Sequence, residues 1–297
     1  MTAGTDRITD RWNYGAYIQN IVDIGEQFSI MVGGRYERQD VDFIEQVSGA
    51  TEGQTISDFL PQGGVVFKPT QSTSIYASYT ESFSANSVER RDALGGSFDP
   101  ERGKQIEIGA KASLWDERIN VTFAAFDIEK TNILERDANG DFILLGELES
   151  QGIEFELQVL PIEHWQIRVG YAYVDSIISE SPDTSLIGAR NAFAPAHDGF
   201  VWTRYNVPTA VLGGEVGVSL GVNFESKRFT NASAATRVEL PSTARVDTAV
   251  YYETDNFALA LNIENLFDET YFIGGTTDVC LYPGKPRLIT LTASTSF

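Results

Sequence analysis

Side chains able to do covalent chemistry are few in this sequence, and they are scattered. His164, His197 and Cys280 are its entire stock of imidazole and thiol. A hydrolytic site would need a serine or aspartate converging with a histidine. His164 falls in a short connection, Pro161–His164, and His197 closes a long one, about residues 176–197. A single cysteine permits neither an internal disulfide nor a cysteine-based metal cluster. Cys280 therefore reads as an unpaired surface residue. Asp40, Asp42, Glu45 and Glu52 crowd one acidic stretch. They could hold a divalent ion, or simply form a solvated loop.

The elements that must position these groups are strands. From Lys104 to Leu114, Ile106, Ile108, Ala110, Ala112 and Leu114 alternate with Gln105, Glu107, Gly109, Lys111 and Ser113. Successive residues of a strand face opposite sides, so this run has one apolar and one polar face. Trp115–Arg118 makes a short turn, after which Ile119, Val121, Phe123 and Ala125 alternate with Asn120, Thr122 and Ala124. The two runs predict an antiparallel hairpin. Soluble strands average about 5–6 residues, which this run exceeds. A membrane strand needs about 9–11 residues, apolar toward lipid and polar toward a lumen.

Composition permits that reading. Among 297 residues, 42 are acidic and 22 basic, a net charge of −20. Nucleic acid is excluded as a partner, because phosphate recognition needs a basic patch. No run of about 18 apolar residues is present, so no transmembrane helix is predicted. A β-barrel escapes that test, since half of each strand is polar.

The alternation recurs along the chain. Paired runs are predicted at 13–24 with 27–38, 57–68 with 73–83, and the hairpin after Ser97. Beyond a polar excursion with an Asn139-Gly140 turn signal come 153–159 with 165–173, 199–207 with 216–224, and 242–252 with 256–272. A final strand runs from about 288 to Phe297, giving about 13 strands in all. Short turns near residues 25, 70, 116, 162, 210 and 255 alternate with long polar connections. That asymmetry, with Trp115, Trp165 and Phe257 beside the turns, fits an outer-membrane barrel with an aromatic girdle. The predicted fold is all-β: an antiparallel transmembrane β-barrel. Single-chain bacterial barrels have even strand counts, and the N-terminal MTAGTDRITDRWNYG lacks a signal peptide. We therefore expect residues 1–297 to be the C-terminal part of a longer barrel. We also expect an open sheet with two free edges.

The sequence resembles the TonB-dependent outer-membrane receptors, in their ferric-siderophore branch. The hairpin ERGKQIEIGAKASLWDERINVTFAAFDIEKTNI is similar to the family's P-E-x-x-x-x-x-E-x-G-x-K strand, turn and A-x-F-x-I strand. GIEFELQVLPIEHWQIRVGYAYVDS, NAFAPAHDGFVWTRYNV, LPSTARVDTAVYY and LNIENLFDETYF follow in family order. PGKPRLITLTASTSF resembles the G-x-P-R final strand ending in Phe. The resemblance implies a barrel of about 22 strands whose lumen an N-terminal plug fills, with a TonB box ahead of the plug. It implies a Gram-negative outer-membrane location and uptake of ferric siderophores energised through the TonB complex. Receptors for haem, cobalamin or a glycan, a general porin and a barrel enzyme are the alternatives.

On that reading His164 and His197 lie on opposite sides of the bilayer, and no catalytic residue, resident metal or cofactor is expected. The acidic stretch from Asp40 to Glu52 becomes an outer loop facing membrane lipid and cation-bridged lipopolysaccharide. Asn231-Ala232-Ser233 matches a glycosylation sequon but reads as loop sequence. Aromatic faces with a few cations at the outer vestibule suit a bulky polar chelate. Phe83, Arg90, Arg91, Tyr271 and Phe272 occupy such positions. A girdle role for each aromatic, and a loop salt bridge for each arginine, are the competing readings.

Overall fold

The structure, a computed structural model, describes residues 7–46, 49, 51–84, 98–136, 142–208, 211, 213–276 and 280–296. Eight strands come first: β1 (Arg7–Ile24), β2 (Phe28–Glu45), β3 (Thr51–Thr70), β4 (Thr73–Ser84), β5 (Glu101–Leu114), β6 (Ile119–Arg136), β7 (Phe142–Ile162) and β8 (Trp165–Glu180). After a short 3-10 turn, Thr184–Leu186, follow β9 (His197–Asn206), β10 (Glu215–Glu225), β11 (Arg228–Phe229) and β12 (Glu239–Leu240). The chain finishes with β13 (Thr243–Glu253), β14 (Phe257–Glu264), β15 (Phe272–Thr276), β16 (Cys280–Pro283) and β17 (Leu288–Thr295). One 13-stranded sheet runs β1-β2-β3-β4-β5-β6-β7-β8-β9-β10-β13-β14-β17. Every pairing in it among the described residues is antiparallel, and β1 and β17 stand at its two ends.

Register separates two faces. Ile108 lies opposite Ala77 and Ala125, and Ala110 opposite Ile75 and Phe123. On this apolar face the Phe28 and Phe67 rings stack, with centroids 4.7 Å apart. It is open to the surroundings: Ile106 is 60 % and Ile108 57 % exposed. The same rows end in Trp165 and Phe257 beside the short turns. Apolar side chains left bare over a whole sheet face would be unstable in water, and they suit hydrocarbon.

The other face is hydrogen-bonded along its length. Tyr76 donates to Glu107 at 2.6 Å and Gln105 to the same carboxylate at 3.0 Å. Arg204 donates to Asn206 at 2.9 Å. Gly109 permits this network. A Cβ there would come within 2.6 Å of the Tyr76 ring.

The wall strand count matches the sequence expectation, but the strands are longer. Residues 39–45 and 51–56, expected in an acidic loop, extend β2 and β3 as a paired ladder. Residues 133–136 and 142–152 likewise extend β6 and β7. Asn139 and Gly140 lie outside the described residues. Charge does not oppose a strand in water, and cross-strand partners absorb it. Asp40 accepts from Arg38 at 2.9 Å and from Thr55, directly opposite, at 2.6 Å. The expected 256–272 strand stops at Glu264. Beyond it β15 pairs with β16, and between β10 and β13 β11 pairs with β12, as two small hairpins off the wall.

Candidate functional site

Three connections lie at the end of the wall opposite the short turns: 181–196, 226–242 and, in its described residues 265–276 and 280–287, the last. The first carries the 3-10 turn, capped by Asp183, which accepts from the Ser185 amide at 3.0 Å and hydroxyl at 2.7 Å. The Ser185 hydroxyl and amide hold the Asp183 carboxyl below its ordinary range. Ile178 and Leu148, opposite one another on the polar face, bury against Ala232 of the second connection and Leu186 and Ala189 of the first. A small dry core thus sits on the polar face and roots two connections over it.

Asn265 organises the third connection. It is buried, with a left-handed φ of 52°, a conformation that asparagine tolerates better than most residues. Its amide donates to Asp247 of β13 at 2.7 Å, and its Oδ1 accepts from the Glu269 amide at 2.8 Å. Its Nδ2 donates to the carbonyls of Glu269 at 2.9 Å and Lys285 at 3.2 Å. Asp268 accepts from the Arg287 amide at 2.7 Å. LNIENLFDETYF is therefore a strand followed by a knot that ties both ends of the connection together.

The knot aims Tyr271 and Phe272. Tyr271 is buried; its hydroxyl accepts from Arg245 Nη1 at 2.9 Å, while that guanidinium lies 4.5 Å from the ring centroid. Arg245 stands opposite Asn223 on the polar face. Phe272 opens β15, and its carbonyl accepts from Arg228 Nη2 at 3.0 Å. Buried Arg228 also pairs with Glu225, at the outer end of β10. The structure so brings Tyr271 and Phe272 together through two arginines that sequence reasoning missed. Arg245 was findable, since it shares one face of β13 with Asp247, Ala249 and Tyr251, opposite Val246, Thr248 and Val250. Arg228 gave no signal, because its partners are fixed only by tertiary structure.

The other expected residues fall elsewhere. Phe83 pairs in register with Arg102, in the β4 row that contains Ile75 and Ala77 on the apolar face. Arg90 and Arg91 lie outside the described residues. His164 sits in the β7–β8 turn, and His197 starts β9 opposite Tyr173 of β8. Tyr173 lies eight positions beyond Trp165 along β8, which is about 26 Å along a strand. His197 Nδ1 lies 2.8 Å from the Tyr171 hydroxyl. Cys280 is an exposed free thiol in β16. Among the described residues, no group of three or more His, Cys, Asp or Glu is gathered as a metal site. What the outer connections collect is aromatic faces and guanidinium groups, a set suited to non-covalent recognition.

Comparison with known proteins agrees with this architecture. The model of the TonB-dependent receptor-like β-barrel matches residues 2–266. The metal-pseudopaline receptor CntO of Pseudomonas aeruginosa is 29 % identical over 290 residues, covering 94 % of this chain and 40 % of its own length. The ferrichrome outer-membrane transporter and phage receptor of Escherichia coli is 29 % identical over 290 residues, covering 95 % of this chain and 38 % of its own. The chain thus spans about two fifths of the length of these curated relatives. The siderophore receptor PiuA of Acinetobacter baumannii superposes with a TM-score of 0.83 at 25 % identity, over 98 % of this chain and 44 % of that one. The ferric citrate transporter FecA superposes with a TM-score of 0.82 at 22 % identity, a likeness of fold.

Proposed function

We propose that this chain, which belongs to the TonB-dependent receptor β-barrel family of the Gram-negative outer membrane, serves as part of the wall and outer mouth of a ferric-siderophore receptor. The observation that carries the reading is the family match over residues 2–266 of a 13-stranded antiparallel wall. Relatives named as ferrichrome, ferrioxamine B and pyoverdine receptors support the ligand class. The apolar rows meet lipid, with lipopolysaccharide around the outer ends. The polar rows meet the lumen, which the plug implied by the resemblance would fill. Energy from the TonB complex would reach the ligand through that plug.

Among the residues expected to contact ligand, Arg90, Arg91 and Phe272 keep that role in this proposal. Tyr271 supports the site from beneath through Arg245. Phe83 shares the lipid-side row, where it fits the outer girdle. Deleting the gene should abolish uptake of radioactive iron supplied as a ferric siderophore, and restoring it should return uptake. Unchanged uptake across a panel of siderophores in an otherwise receptor-deficient strain would sink the reading.

One specific finding favours a second reading. CntO is named a receptor for metal-pseudopaline, which leaves open a chelate of a metal other than iron. Parallel uptake of radioactive iron, zinc and nickel chelates decides between the two.

A further inference from the structure

We propose that Phe193 and Tyr282 form a ring-stacking shelf at the receptor's mouth, for an anionic ferric chelate whose iron is held by planar catecholate groups. The proposal rests on the ferric-chelate reading above and narrows its ligand to one chemical class.

Phe193 holds its backbone at a φ of 59°, in a region that bulky residues avoid at an energetic cost. The conformation is pinned from the neighbouring connection, where the Phe229 carbonyl accepts the Phe193 amide at 2.8 Å. This strained residue is not buried: it is 41 % exposed. Tyr282 of β16, paired with Gly274 of β15, is 46 % exposed. A Cβ placed on Gly274 would lie 3.4 Å from Tyr282 Cδ2 and 4.0 Å from Phe193 Cε1, so the two rings border one spot. Residues from two different connections meet there, and an exposed arginine stands beside Phe229, the residue that anchors the Phe193 amide. Arg237 sets its guanidinium 4.1 Å over the Phe229 ring. Among the described residues it makes no ion pair.

The cluster overhangs the lumen side of the wall. The hairpin that carries Tyr282 follows Tyr271, which Arg245 of the polar row holds, and is tied at Phe272 to Arg228. The connection that carries Phe193 is rooted in the dry core formed by Leu148 and Ile178 of the same row. Exposed aromatic faces at the mouth recognise flat rings, and a guanidinium stacked on a ring but without an ion pair among the described residues keeps its N–H edge for negative charge. A catecholate chelate offers both features. An aliphatic trihydroxamate offers no ring to stack.

The test is uptake of radioactive iron by cells carrying the intact receptor. Iron is supplied as the complex of a synthetic tris-catecholate or of a linear aliphatic trihydroxamate. Phe193→Ala and Tyr282→Ala should each raise the half-saturating concentration of the catecholate about 2- to 10-fold, the equivalent of one aromatic pair. Phe193→Asn should do the same. It keeps a residue at home in the left-handed region and removes only the ring. Heat-modifiable electrophoretic mobility verifies that each variant barrel is folded. Trp115→Ala, at a 59 % exposed residue in the β5–β6 turn at the opposite end of the wall, should change nothing. Catecholate uptake with unaltered affinity in all three shelf variants overturns the shelf and leaves the receptor reading standing. Equal weakening of the trihydroxamate overturns the ligand class. Failure of the unaltered receptor to take up any ferric chelate overturns the receptor reading, and the shelf with it.

Discussion

At the short-turn end the chain reverses over a few residues and closes each reversal locally. The Phe257 amide donates to Thr254 Oγ1 at 3.0 Å, and the Thr254 amide returns a bond to the Phe257 carbonyl at 2.7 Å. Ser29 donates to Asp23 at 2.6 Å across the first turn, and the Arg118 amide to the Trp115 carbonyl at 3.2 Å. At the opposite end the stabilising bonds join distant residues: Arg228 reaches the Phe272 carbonyl and Asn265 the Lys285 carbonyl. The first kind of contact fixes register and is exposed, so each bond contributes little. The second kind is buried, and losing one partner strands others without water. The turn end is therefore tolerant, whereas the outer end is anchored by a few buried side chains whose loss costs more.

The wall between the two ends sets the scale for breaking this contrast. Ile108→Arg places a charge on the lipid side and should cost about 2–4 kcal/mol near the bilayer midplane. Gln105→Arg, on the lumen side, should cost much less. Urea unfolding of the intact receptor in lipid measures both, and equal costs would contradict the assignment of faces. At the outer end, Asn265→Ala should cost about 2–3 kcal/mol. It removes three side-chain bonds and leaves alanine in a left-handed conformation. Hydrogen exchange should show the loss concentrated in residues 265–287 rather than in the wall. At the turn end, Gly25→Ala should cost only about 1 kcal/mol. Gly25 has a φ of 64° with nothing within 4 Å of an added Cβ, so backbone conformation is the whole penalty. A larger loss at Gly25 than at Asn265, in the same unfolding series, would reverse the comparison.

The wall was legible in the sequence because its information is local. Ile106, Ile108 and Ala110 lie two residues apart, and a strand converts that spacing directly into one face. Around Asp40 and Thr55 the alternation changes sides: Asp40 and Asp42 take the row of Phe28 and Ile30, while buried Val41 and Ile56 face the other way, so the lipid-side pattern ends although the ladder of β2 and β3 continues. The outer mouth was legible only in part. Tyr271 and Phe272 were singled out, but their placement depends on Arg245 and Arg228, 26 and 44 residues away. No spacing rule reaches across such distances. Nor does any local pattern announce that Phe193 is held in a left-handed conformation from the neighbouring connection.

Each strand of the wall pairs with the next wall strand along the chain; only β11–β12 and β15–β16 intervene, as side hairpins. The sheet can therefore be laid down one hairpin at a time, without the long entropic searches that slow non-local topologies. The same arrangement frees the outer connections from the timetable of assembly. Doubling the length of such a segment adds only about 0.6 kcal/mol of closure cost. A mouth such as 226–242 or 265–287 can thus be rewritten for a new chelate while the strands beneath it assemble as before.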